Sequence, residues 1–308
     1  MLYIQSLFSL LYWFTRPLIK WFLRKTTRLC ELQRICYGEV SGAPRVLAVE
    51  KSLSLSRNAA IRELPFLYET RNPITPRGAL QHAITTVIKI KNINPQVHIQ
   101  FSKSFGKCME QIWGFSNLKK TVEDLRCTQY DSNNPAHEEK LLNLWTLLVP
   151  DEKLESRVTK QWQYIGFQGD DPKTDFRGMG VLGLENLLFL ASEYTDIAHR
   201  MLVRSQHPKH GYAFAIVGIN LTHLAYHLLE DGSAKTHVYN TSKSPPSMRT
   251  FHQFYSYLYV EFDKFWVNAK PNNIMDFSFI RDRFEKEIRE SLKNPKTVFR
   301  INVAVDKI

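Results

Sequence analysis

The 308-residue chain predicts an all-α fold: an irregular multi-helix domain with a helical N-terminal extension. Three observations predict it. Apolar residues recur at steps of three and four along several stretches, which places them on one face of a helix. Sustained two-residue alternation, the mark of a half-buried strand, is absent until Val298 to Val305 at the very end. Aromatic residues make up 12% of the chain, which suits broad packed helix faces.

Residues 2–14 carry no charge and include Phe8, Leu10, Leu11, Tyr12, Trp13 and Phe14. Arg16, Pro17 and Lys20 interrupt the run, Leu18, Ile19, Trp21, Phe22 and Leu23 resume it, and Arg24, Lys25 and Arg28 follow. A membrane-spanning helix needs about 20 mostly apolar residues. Here the uncharged run is short, and two cations would sit inside a longer one. No basic segment precedes the run and no small-residue cleavage site follows it, so a signal peptide fits poorly. Three placements stay open for this helix: packed on the domain, lying in a bilayer interface with its aromatics at headgroup depth, or spanning.

Pro44, Pro65, Pro73, Pro76 and Pro95 punctuate residues 40–96, which predicts short helices separated by turns. Residues 97–127 predict one helix and a connection. His137 to Val149, with Leu141, Leu142, Leu144, Trp145, Leu147 and Leu148, predicts a helix ending at Pro150. Asp151 is then expected to cap a second helix running through Trp162. Beyond a glycine-rich stretch, Val181 to Leu190 and Thr195 to Arg204 predict helices. So do residues 213–229, where Ile216, Val217, Leu221, Leu224 and Leu228 keep helical spacing. Ser247 is expected to cap an amphipathic helix carrying Phe251, Phe254, Leu258, Phe262 and Phe265, and Asp276 another carrying Ile280, Phe284, Ile288 and Leu292.

Charge is divided unevenly. Residues 1–130 hold 19 Lys and Arg against 8 Asp and Glu, whereas residues 131–308 hold 22 against 22. A nucleic-acid-binding protein would place its basic residues on a recognition module, and no such motif is present. A basic face toward anionic lipid fits better. Cys30, Cys36, Cys108 and Cys127 form no Cys-x-x-Cys pair and read as free thiols in a reducing compartment. No zinc pattern occurs; His207 and His210 flank a proline without partners.

The most informative stretch is residues 162–187. Gly166, Gly169, Gly178, Gly180 and Gly183 sit with Pro172 among Asp170, Asp171, Asp175 and Arg177. Glycines concentrate where a backbone turns sharply or is approached closely. Arg177, between Phe176 and Gly178, is the candidate functional residue. From residue types alone, an arginine tying the loop together through Asp170, Asp171 or Asp175 is the simpler account. Thr174 and Asp175 suit turn-shaping bonds to backbone amides, and Gln168 suits loop hydrogen bonding. Trp162 and Phe167 suit anchoring of the loop ends. Gly178-Met-Gly180-Val-Leu-Gly183 matches a dinucleotide fingerprint, but that pattern has meaning only after a parallel strand. No Gly-Lys-Ser/Thr phosphate loop occurs.

The run Trp162, Ile165, Gly166, Phe167, Gln168, Gly169, Pro172, Thr174, Asp175, Arg177, Gly178 and Gly180 closely resembles the signature of the ELMO domain. Asn220 to Thr222 and His252 to Trp266 resemble the same family. The resemblance covers roughly residues 130–294. It implies an apolar and basic N-terminal helix over 1–34, a helical region over 35–129, the ELMO domain over 130–294 and a tail over 295–308. The layout resembles the short branch of the family, which implies a GTPase-activating protein for Arf-family or Arf-like small GTPases. On that resemblance Arg177 is the arginine finger. Trp162, Gly166, Phe167, Gln168, Gly169, Pro172, Thr174, Asp175, Gly178 and Gly180 shape the loop or touch the partner. The partner would be the GTP-bound GTPase, with no cofactor or metal of the chain's own and no nucleic acid. The protein would be cytoplasmic and peripheral on intracellular membranes, with an anionic surface as second partner. The alternative is a non-catalytic GTPase-binding scaffold or effector at membranes.

Overall fold

The computed structural model describes residues 2–67, 75–242 and 245–301, with side chains described from Thr15 onward in the first helix. All regular structure among them is helical. The chain divides into two compact units, Met1–Gly114 and Phe115–Ile308.

In the first unit α1 (Leu2–Thr27) contains Pro17 and is followed by α2 (Glu31–Gly38), α3 (Ala43–Ser54), α4 (Ala59–Arg62) and α5 (Pro76–Lys91). The prolines set these boundaries: Pro44 sits in the first turn of α3 and Pro76 opens α5, where a missing N–H costs nothing. Pro73 lies outside the described residues. The core is built from Leu32, Val46, Val49, Leu53, Ile61, Leu64, Ala83 and Val87, joined by stacked Phe101 and Phe105 of α6 (Ile99–Cys127). Cys30, Cys36 and Cys108 are buried here as free thiols, and burial pushes Cys36 up to about 12 and Cys108 to about 11. Cys127 is exposed.

The second unit contains the end of α6, α7 (Pro135–Leu148), α8 (Gly180–Glu193), α9 (Thr195–Ser205), α10 (Phe214–Glu230), α11 (Lys235–Thr241), α12 (Met248–Ala269) and α13 (Phe277–Leu292). Apolar periodicity predicted all of these from α7 on except the short α11. α8 is the hub, packing on α7, α9, α10 and α12. It is buried nearly all round because its sequence is apolar all round. Its one buried amide, Asn186, is bonded at both ends: Nδ2 donates to Thr222 Oγ1 (3.1 Å) and Oδ1 faces His252 Nδ1 (2.7 Å).

Two expectations are corrected. Residues 151–159 form no helix, and Trp162 lies instead in a short 3₁₀ turn, Lys160–Ile165. The segment has no apolar stripe to bury, and side chains take up its backbone groups: Trp145 Nε1 donates to the Glu152 carbonyl (2.8 Å), and Gln161 bonds Glu155 N (2.8 Å) and the Lys153 carbonyl (3.1 Å). Asp276 precedes α13 as expected, but its carboxylate turns back to Asn272 N at 2.8 Å and caps nothing. The alternating segment Val298 to Val305 forms no strand where described, and residues 302–305 lie outside the described residues.

Candidate functional site

The glycine-rich stretch is a loop between α7 and α8 made of two 3₁₀ turns, Lys160–Ile165 and Pro172–Arg177. The loop is held by a ladder of aromatic rings. Trp145 meets Trp162 (5.5 Å between ring centres), Trp162 meets Phe167 (5.8 Å), Phe167 meets Phe176 (5.6 Å) and Phe176 meets Tyr130 (5.3 Å). The first three contacts are edge-to-face, the favoured geometry for aromatic quadrupoles. Ile165 and Pro172 are buried beside this ladder.

Polar bonds complete the frame. Trp162 Nε1 donates to the Arg157 carbonyl (3.0 Å), and Thr159 N to the Asp170 carbonyl (2.9 Å), closing the loop's neck. Asp171 caps the second turn by accepting from Lys173 N (3.0 Å). Asp175 accepts from Gln168 N at 2.9 Å, which ties the two halves of the loop together. Burial pushes the Asp175 carboxyl above its ordinary range; the Gln168 amide and the Arg177 charge pull the other way without cancelling it. Gln168 therefore contributes its backbone N–H, and its side chain is exposed.

The glycines split into two kinds. Gly166 (φ 88°) and Gly180 (φ 52°) are required by the fold: a Cβ would lie 2.3 Å from Phe214 N at the first, and 2.4 Å from the Arg126 and Thr128 carbonyl oxygens at the second. Gly169 and Gly178 have neither a left-handed backbone nor a close neighbour, so nothing inside the molecule demands glycine there.

Arg177 ends the second turn. Phe176 points into the ladder and Arg177 is exposed. Its Nε donates to the Thr174 carbonyl at 2.9 Å, and among the described residues it makes no ion pair. The three aspartates are otherwise occupied: Asp170 with Gln163 Nε2 (3.0 Å), Asp171 with Arg157 Nη1 (3.0 Å) and Asp175 with the Gln168 amide. With Nε on a carbonyl, Nη1 and Nη2 make no hydrogen bond among the described residues.

The arginine that ties the loop is Arg157. It pairs with Glu138 and Asp171 and lies over the Tyr130 ring, whose hydroxyl donates to Glu138. Burial, reinforced by that bond, pushes the Tyr130 phenol well above its ordinary value and keeps it a donor. Tyr130, Glu138 and Arg157 fall on a connection, a helix and an irregular segment. No local pattern in the sequence links them.

Beside Gly178 a groove of about 540 Å³ runs along α10, lined among others by Met179, Ile219, Asn220, His223, Tyr226 and His227. The Nε2 atoms of His223 and His227 lie 2.9 Å apart, and His223 is held below its ordinary value by burial and then by His227. Gly178, Gly180 and Gly183 follow a 3₁₀ turn and not a strand, so the dinucleotide fingerprint has no structural basis.

Comparison with known proteins gives a consistent result. The model of the ELMO/CED-12 family matches residues 120–281. The chain is 46% identical over 276 residues to ELMO domain-containing protein 2 of Homo sapiens, covering 90% of this chain and 91% of that one. It is 46% identical over 294 residues to ELMO domain-containing protein 1 of Mus musculus, covering 90% and 88%. It is 31% identical over 277 residues to ELMO domain-containing protein B of Dictyostelium discoideum, covering 88% and 93%.

Proposed function

The chain belongs to the ELMO/CED-12 family, and from that premise we propose that it is a GTPase-activating protein for Arf-family or Arf-like small GTPases, supplying Arg177 in trans. The observation that carries this reading is the state of Arg177: exposed, without an ion pair among the described residues, and fixed at Nε on a turn anchored by Phe176. GTP hydrolysis passes through a state in which charge spreads over the phosphoryl oxygens. A permanently charged, planar guanidinium stabilises it with two parallel N–H donors, a role open here to Nη1 and Nη2. Positioning the donors in advance removes the cost of organising them during the reaction. The partner brings GTP and Mg²⁺; the chain itself performs no covalent step and needs no cofactor. Open space at Gly178 and Gly169 lets a partner's backbone come close, and the groove beside Gly178 is the adjoining docking surface.

One feature supports a membrane setting. α1 exposes Leu18, Ile19, Trp21 and Phe22 together with Lys25, and Arg28 just past its end is exposed too, which suits a helix lying in an anionic interface. Among the described residues no helix is long and apolar enough to cross a membrane. The remaining apolar residues of the N-terminal run, Phe8 to Phe14, have side chains outside the described residues.

The test is single-turnover GTP hydrolysis by a panel of Arf and Arf-like GTPases with wild type, Arg177→Ala and Arg177→Lys. Acceleration that both variants lose while still binding supports the finger. Binding without acceleration by the wild type would replace it with the scaffold reading.

A further inference from the structure

The side chains of α1 divide by face. Arg16, Lys20 and Arg24 recur every fourth residue and so form one stripe. Leu18, Trp21 and Phe22 lie on the opposite side, 70%, 62% and 59% exposed. The basic stripe lines a cavity of about 640 Å³ within the first unit, completed by Glu31 of α2, Arg57 after α3 and Lys91 at the end of α5. That volume is in the range of small-molecule sites, about 300–1,000 Å³.

The cavity's charge is unbalanced. Arg16, Lys20, Arg24, Arg57 and Lys91 face a single carboxylate, Glu31. Glu31 is already saturated: Arg16 Nη2 reaches it at 3.1 Å, Ser52 Oγ at 2.7 Å, and Lys20 pairs with it. Arg24 Nη2 rests on the Lys91 carbonyl at 3.1 Å, while Arg57 and Lys91 have no acidic partner among the described residues. Arg16 Nε is buried without a hydrogen-bond partner. Lys20 is pushed below its ordinary value by burial, and Arg16 and Lys91 add to this against the pull of Glu31. Uncompensated positive charge on a concave wall concentrates field and attracts an anion.

We propose that this cavity binds the phosphorylated inositol headgroup of a membrane lipid. The inference rests on the interfacial reading of α1. With Leu18, Trp21 and Phe22 in the bilayer surface, the basic stripe stands a helix diameter above them, about 10 Å. A phosphate held close to the glycerol, as in phosphatidylserine, cannot rise that far. A phosphomonoester on an inositol ring projects beyond the bilayer's phosphodiester plane and reaches past the helix to Lys20, Arg24 and Arg57. Charge-assisted N–H donors are the groups that recognise such a phosphate.

The test is vesicle co-sedimentation of the full chain on phosphatidylcholine vesicles containing phosphatidylinositol bisphosphate or, at matched charge, phosphatidylserine. Arg57→Ala with Lys91→Ala removes cavity cations; Lys25→Ala with Arg28→Ala removes exposed cations outside this cavity. Thermal unfolding confirms that each variant folds. The cavity pair is expected to weaken bisphosphate binding about fivefold per cation and leave phosphatidylserine binding nearly unchanged, with the control pair weakening both lipids alike. Equal loss from both pairs on both lipids, or no preference for the bisphosphate at matched charge, overturns the cavity site and leaves the interfacial reading standing. No binding to any vesicle overturns the interfacial reading itself. A soluble inositol polyphosphate bound by calorimetry in that case would assign the cavity to a free anion and overturn the lipid source.

Discussion

The Pro172–Arg177 turn and α1 both present cations to the outside, and they do it in opposite ways. At the turn the cation is single and directed. Phe176 is locked in a ring ladder, Asp171 caps the backbone, Arg157, Gln163 and the Gln168 amide occupy the neighbouring aspartates, and Arg177 is left without an ion pair among the described residues. Along α1 the cations are many and spread, and an exposed apolar stripe runs on the opposite side. On the proposed reading such a helix would meet a surface, whereas a lone oriented guanidinium would meet one atom position. Rigid framing would then be needed only at the turn, because a misplacement of about 1 Å costs orders of magnitude in a transition state but little against a fluid bilayer.

The sharpest way to break this comparison is Arg177→Ala. Acceleration of GTP hydrolysis should fall by about 10³-fold or more while thermal unfolding is unchanged, since the side chain is exposed. A substantial loss of stability would mean that Arg177 ties the loop after all. The frame itself comes next. Phe176→Ala empties a buried ring position and should cost about 3–5 kcal/mol, read by urea unfolding, with activity falling because Arg177 loses its direction. A comparable truncation on α1, Phe22→Ala, should leave unfolding almost unmoved.

Acid should separate the two units. Burial holds His237 and His252 in the second unit down at about 4. The unfolded chain therefore binds more protons than the folded one between about 6.5 and 4, and stability falls as pH drops through that window, by of order 3 kcal/mol for each histidine. In the first unit burial alone would raise Glu31, but bonds from Lys20 and Ser52 and the charges of Lys20 and Arg16 outweigh it and hold it below its ordinary 4.5. Its contribution is present above that value and lost only at lower pH. Hydrogen exchange corrected for intrinsic rates should show the second unit loosening first between pH 6.5 and 4.5. The first unit loosening earlier would contradict the assignment. Gly178→Ala should change stability by no more than about 0.5 kcal/mol, because the added methyl meets open space in an ordinary conformation. GTPase activation should still drop if a partner packs there; full activity would free Gly178 of any role in contact.

Within the second unit, elements differ in how far they were legible from sequence. Helices α7 to α10, α12 and α13 announce themselves through apolar spacing, because burying a stripe is what makes a helix stable in a protein. α11, with seven residues, is too short for a stripe to register. The polar stretch 151–159 misled for the converse reason: a plausible cap at Asp151 means little without an apolar face behind it. Within the site, the residues that occupy the loop could be read directly, and the residues that hold it could not. Tyr130, Glu138 and Arg157 meet through space, and so do Gly180 and the carbonyls of Arg126 and Thr128.

By itself the sequence determined the helical class, the family signature and the concentration of charge in the first 130 residues, and it singled out Arg177 as the residue to test. These depend on residue types and short spacings, which local physics translates directly. Only the tertiary structure decided which arginine ties the loop and which makes no ion pair among the described residues, which glycines the backbone requires, and that Arg16, Lys20, Arg24, Arg57 and Lys91 line one cavity. Those outcomes depend on distances between residues far apart in the chain, and such distances are set by how the helices pack.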